Sequence, residues 1–260
     1  MAEMNNYFNG NYGTAEEAAE QEKQQKMTAD VLTASSGMMH ANFGSYVAGS
    51  GERIISGEKF NTYIGLMLLY GFAVNAILCF VLTDWVLAFM EKRLILVIVM
   101  YFGGLFIGSA ICNRAKSAVV GFIGYNIIIL PMGIFLTPFF ASVGFETVRY
   151  AFCVMGVCML LMIGLAQVYP SFFKSIGRML FTCLIIGIIG EVIMWCVNLS
   201  SGILDFIFIG IFLGYIGLDW ARAQEEEKTV NSAIRCAYMI YVDLINLLLR
   251  LIRIIAKNRD

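Results

Sequence analysis

Three carboxylates lie inside or at the edge of long apolar runs. Asp219 closes the run Tyr215-Ile-Gly-Leu-Asp219-Trp, Asp243 sits within Tyr241-Val-Asp243-Leu-Ile-Asn246, and Glu191 lies within Ile188-Ile-Gly-Glu191-Val-Ile-Met. Ionisable groups at membrane depth are costly to keep and are by default functional. If the polar stretch from Trp220 to Arg235 folds the last apolar segment back beside the preceding one, Asp219 and Asp243 approach each other. Two carboxylates in a poorly hydrated site cannot both ionise cheaply, so such a pair shares a proton and responds to pH. Calcium, which prefers oxygen ligands, can compete for the place of that proton.

The elements that must hold these groups follow from the apolar pattern. The chain has 260 residues, 59% hydrophobic and 14% charged, against about 25% charged in an ordinary soluble domain. Only 12 of the 37 charged residues fall between Asn61 and Leu218. Against a requirement of about 20 residues per membrane-spanning helix, six runs qualify: Thr62 to Leu82, Leu94 to Cys112, Ala118 to Ala141, Tyr150 to Tyr169, Met179 to Val197, and Ile203 to Leu218. A seventh, Cys236 to Leu249, has only 14 residues before Arg250, which by length reads as a re-entrant helix. The expected fold is therefore all-α, six transmembrane helices plus a seventh re-entrant C-terminal helix.

Three regions are expected: a polar, acidic, largely disordered tail over residues 1–60, a membrane domain over 61–256, and a basic end over 257–260. Within the tail, Thr14-Ala-Glu-Glu17 fits a capping box and predicts a marginal helix to about Leu32. No signal peptide is legible, so the first apolar span is expected to direct insertion. With the N-terminus inside, eleven Lys and Arg residues fall on cytoplasmic segments and three (Lys92, Arg93, Arg149) on external ones. A re-entrant seventh segment returns Arg250, Arg253, Lys257 and Arg259 to the cytoplasm, so both termini are expected there, in a bacterial plasma membrane.

Other chemistry finds little support. The net charge of −1 with no long basic run argues against nucleic acid. The seven cysteines lie in or beside apolar runs and none forms a Cys-x-x-Cys pair, while His40 is the single histidine. Neither a catalytic triad nor a phosphate loop is present, so no enzyme and no cofactor are expected. Asn75, Asn126 and Gln167 are expected to bond between helices, and Gly104-x-x-x-Gly108 and Gly210-x-x-x-Gly214 to mark close approaches.

The stretch Ala237-Tyr-Met-Ile-Tyr241-Val-Asp243-Leu-Ile245-Asn246-Leu247-Leu-Leu249-Arg-Leu251-Ile-Arg253 resembles the signature of the Bax inhibitor-1 family. Upstream, Tyr215-Ile-Gly-Leu-Asp219 looks like the family's Y-x-x-Y-D ending of the sixth helix, and the 24 residues to Asp243 match the bacterial members. Arg114-Ala-Lys116 with Gly121-Phe122 is similar to the family's basic turn after the second helix.

The resemblance covers about residues 55–256 and implies a seven-helix, pH-sensitive calcium leak. It makes Asp219 and Asp243 the pH-sensing pair and calcium ligands, and Arg114 the cation that latches one of them. The family's acidic residue in the second helix has no counterpart in Tyr101 to Ile107. Glu191 is the candidate to supply that charge from another helix, with Asn246 as a second auxiliary. The partners implied are the lipid bilayer and calcium or protons. The competing reading is a regulatory binding module that holds a membrane protease or another membrane partner without transport.

Overall fold

A computed structural model describes residues 52–197 and 202–257, with the side chain of Trp195 excepted. The tail expectations for residues 1–51, including the capping-box helix, and the end at 258–260 lie outside the described residues.

Ser56 accepts a hydrogen bond from the Lys59 amide and opens α1, Gly57–Ala76, whose apolar stripe Phe60, Ile64, Leu68 and Gly71 faces inward with Asn75 below it. A π-helical turn, Ile77–Val81, extends it. Helix α2 runs Thr83–Arg114 across a kink at Arg93 (φ −143°, ψ 38°). The stretch from Thr83 to Arg93, expected as a connection, is helical, with Trp85 stacked on Phe89 and the Arg93 guanidinium over the same ring.

Helix α3, Ala118–Val143, is capped by Ser117 and ended by Gly144 at φ +76°, a left-handed conformation suited to glycine. There follow α4 (Phe145–Val168), a short α5 (Pro170–Ser175), α6 (Gly177–Cys196), α7 (Gly202–Ala223) and α8 (Val230–Lys257). Among the described residues six helices are long and apolar enough to cross a membrane, and they match the six expected spans. The protein is a multi-pass, all-helical membrane protein.

Close approach explains the packing of α2 on α3. A Cβ on Gly108 would stand 2.8 Å from the Gly124 carbonyl oxygen, and one on Gly104 2.7 Å from that of Ile127. The second glycine pair divides, since Gly214 meets Leu180 while Gly210 meets nothing within 4 Å. Two of the expected interhelical bonds are present: Tyr70 donates to Asn126 at 2.7 Å, and the Asn75 amide donates to the Tyr241 hydroxyl.

Helix α8 is longer than the apolar run Cys236 to Leu249. It is an unbroken helix of 28 residues, about 42 Å long, buried against α1, α2, α3, α4 and α7. At its start, the Ile55 amide donates to the Lys228 carbonyl at 2.8 Å, and the Lys228 ammonium donates to the carbonyls of Ala223 and Gln224 at the end of α7. At its finish, a Cβ on Gly202 would stand 3.2 Å from Lys257 Nζ.

Thus α8 runs antiparallel along α7 as a helix longer than the 14-residue apolar run, and it is not among the six helices long and apolar enough to cross a membrane. The apolar run under-measured it because the helix begins at Val230, six residues before Cys236. Its late cations need not turn back, since Arg250 and Arg253 meet Glu191 and Asp205 at the far end. Ile55 and Lys257 consequently lie at opposite ends of α8.

Cysteines introduced separately at Glu58 and Lys257 are expected to label from opposite sides. In intact cells an impermeant maleimide should reach one of them, and the other only after permeabilisation. Labelling of both from the same side would make the last helix re-entrant.

Candidate functional site

Asp219 lies in the last turn and a half of α7, and Asp243 near the middle of α8. Both are buried, 8% and 9% exposed. The antiparallel packing of these helices makes the two carboxyl groups hydrogen-bonding neighbours. Two residues before Asp219, Gly217 lets α5 lie close against α7, because a Cβ there would strike the Phe173 ring at 2.4 Å.

Asp243 Oδ2 is buried and receives no hydrogen bond from any donor. An orphaned carboxylate oxygen in such a place is expensive unless a proton or cation serves it. Arg222, one turn after Asp219, approaches it at 3.9 Å. Tyr215 of α7 interacts with both aspartates, and Cys236 and Tyr238 of α8 with Asp219.

Beside this pair, buried Arg235 is salt-bridged to Glu226. The start of α8 is tied to the end of α2: Asn231 donates to the Ala115 carbonyl at 2.8 Å, and Tyr238 to Asn113 at 2.9 Å. Lys228, in the α7–α8 connection, has its ammonium pushed below the ordinary lysine range by burial. That ammonium also sits 4.5 Å from the centre of the Phe60 ring.

The structure brings Asp219 and Asp243 together and leaves the other expected site residues elsewhere. Arg114 ends α2 exposed and forms no ion pair among the described residues, while Arg222 is the cation beside Asp219. The three-residue spacing of Asp219 and Arg222 on one helix was the available signal. Asn246 spends its amide on the Val242 carbonyl within α8, at 2.8 Å.

Glu191 of α6 belongs to a second ionic cluster. It accepts both Nη groups of Arg250 at 2.7 Å, and Arg253 at 3.0 Å. Asp205 of α7, missed in the sequence, accepts from Arg250 at 3.0 Å and from Arg253 at 3.1 Å. Arg250 lies seven residues beyond Asp243, about 10 Å further along α8, so this cluster is separate from the aspartate pair. Among the described residues no three His, Cys, Asp or Glu side chains converge as a metal site would require.

Comparison with known proteins gives one match to a protein-family model. That model, described as inhibitor of apoptosis-promoting Bax1, matches residues 59–260, from α1 through α8. No curated protein matches the chain.

Proposed function

Because this chain belongs to the Bax inhibitor-1 family, we propose that it is a proton-gated cation leak, with calcium as the ion, controlled by Asp219 and Asp243. The observation that carries this reading is the pair itself: two buried carboxyls face to face, with Asp243 Oδ2 lacking any donor. A shared proton cuts the charge of the pair from two to one, bridges the two carboxyls and holds α7 against α8. Loss of that proton leaves two anions at close range, which part or recruit a cation.

Arg222 is the counter-charge at hand, and Tyr215, Cys236 and Tyr238 are the other titratable groups that act on the pair. Two carboxylates fall well short of the six to eight oxygens calcium takes in a resident site, which suits passage rather than storage. The reading places the protein in a plasma membrane with Ile55 on the cytoplasmic side, and it asks for no cofactor and no catalytic step.

The test is flux of calcium into dye-loaded liposomes containing the purified protein, scanned over pH. A pH-dependent rise above protein-free liposomes is expected. A background-level trace at every pH would remove the leak and favour a module that binds a membrane partner.

A further inference from the structure

A cavity of about 580 Å³ opens at the end of the bundle where Ile55 lies. Its wall includes Glu52, Arg53, Ser56, Lys59 and Tyr63. Charges of both signs line it, yet Glu52, Arg53 and Lys59 form no ion pair with one another or with any other described residue. Glu52 Oε2 is buried and finds no donor. Among the described residues Glu52 Oε2 thus lacks a partner bearing N–H or O–H groups, while two cations nearby lack an anion.

Helices α1, α3 and α8 all begin here, with Ser56, Ala118 and Val230 in the wall. Their positive ends add to the attraction for an anion. The cavity lies at the ends of two candidate membrane spans, α1 and α3, the part of a spanning helix that faces the headgroup layer. Ile54 and Tyr63 remain 67% and 39% exposed beside it, an apolar exit and an aromatic of the kind found at that depth.

We propose that this cavity binds the headgroup of an ammonium-bearing zwitterionic phospholipid. The phosphate lies on Arg53 and Lys59, and the primary ammonium donates to Glu52. The proposal goes beyond the leak reading and does not depend on it. It also gives the lipid a grip on the gate, because the Ile55 amide is bonded to the Lys228 carbonyl two residues before α8.

Native mass spectrometry of the full chain, titrated with phosphatidylethanolamine, phosphatidylcholine or phosphatidylglycerol of matched acyl chains, tests it. The choline headgroup has no N–H to give Glu52, and the glycerol headgroup has no cation. A preference of about tenfold for phosphatidylethanolamine over both is expected, from the charge-assisted hydrogen bonds that only it can make. Glu52→Gln should shrink that preference to under about twofold, and Arg53→Gln with Lys59→Gln should weaken all three lipids alike.

Equal or tighter binding of phosphatidylglycerol by the wild-type chain overturns the proposal without reference to any variant. So does a Glu52→Gln protein, folded by its thermal midpoint, that keeps the wild-type preference. Displacement of the lipid by soluble phosphorylethanolamine would assign the cavity to a free solute instead of a membrane lipid.

Discussion

Asp243→Asn is expected to abolish the pH dependence of calcium flux. The amide is close in size to the carboxyl but cannot share or release a proton, so the contact with Asp219 persists in one state only. In the wild-type chain, flux between about pH 6 and 8 should change by up to about tenfold per pH unit, the limit for gating by one proton. In Asp243→Asn, and equally in Asp219→Asn, the profile should be flat. The double variant should add little, since residues acting as one unit are not additive.

Arg222→Gln removes the counter-charge at 3.9 Å and should move the profile along the pH axis without flattening it. Arg114→Gln, at an exposed residue with no ion pair among the described residues, should leave the profile unchanged. An Asp243→Asn protein with the wild-type profile would release the pair from its role. A shift with Arg114→Gln and none with Arg222→Gln would return the latch to the end of α2.

Why the sequence yields the pair and misplaces its partners is a matter of range. Six spans are legible because the bilayer sets a minimum length that soluble cores do not impose, and the match extends to helix ends such as Ala118. The Asp219–Asp243 contact is legible because a connection as short as Gln224 to Thr229 forces α7 and α8 to be antiparallel neighbours. The placement of Arg114 was not legible, because a basic residue at a helix end says nothing of which face it takes. Asn113 and Ala115 on either side of it bond to α8, and Arg114 itself is exposed.

Helix α8 was read as short for a related reason. A run of apolar letters measures the helix that lipid alone would tolerate. Here Asn231, Ser232 and Arg235 at one end, and Arg250 and Arg253 at the other, are accommodated by protein partners that only the packed structure supplies. All of Asn231, Ser232 and Arg235 are buried.

Those partners make the far-end cluster the second site of large expected effect. Arg250 is bidentate to Glu191, bonds Asp205, and lies 4.0 Å over the Phe208 ring. Asp205 is 4% exposed. Arg250→Met keeps the length of the side chain and deletes the cation, leaving Asp205 dependent on Arg253 alone. Breaking a buried pair by removing one partner costs about 3–5 kcal/mol, and the low end applies because Arg253 remains.

A fall of about 6–12 °C in the thermal midpoint in detergent is expected. Arg253→Met should cost no more than about 1 kcal/mol, because that side chain is 41% exposed and partly screened by solvent. Adding Asp205→Asn to Arg250→Met should recover part of the loss, since the stranded anion goes with its partner. The decisive comparison is Arg250→Met against Arg253→Met. Equal midpoints would mean that the cluster is solvated at that end of the bundle, and that α8 is held there by its apolar face instead of its charges.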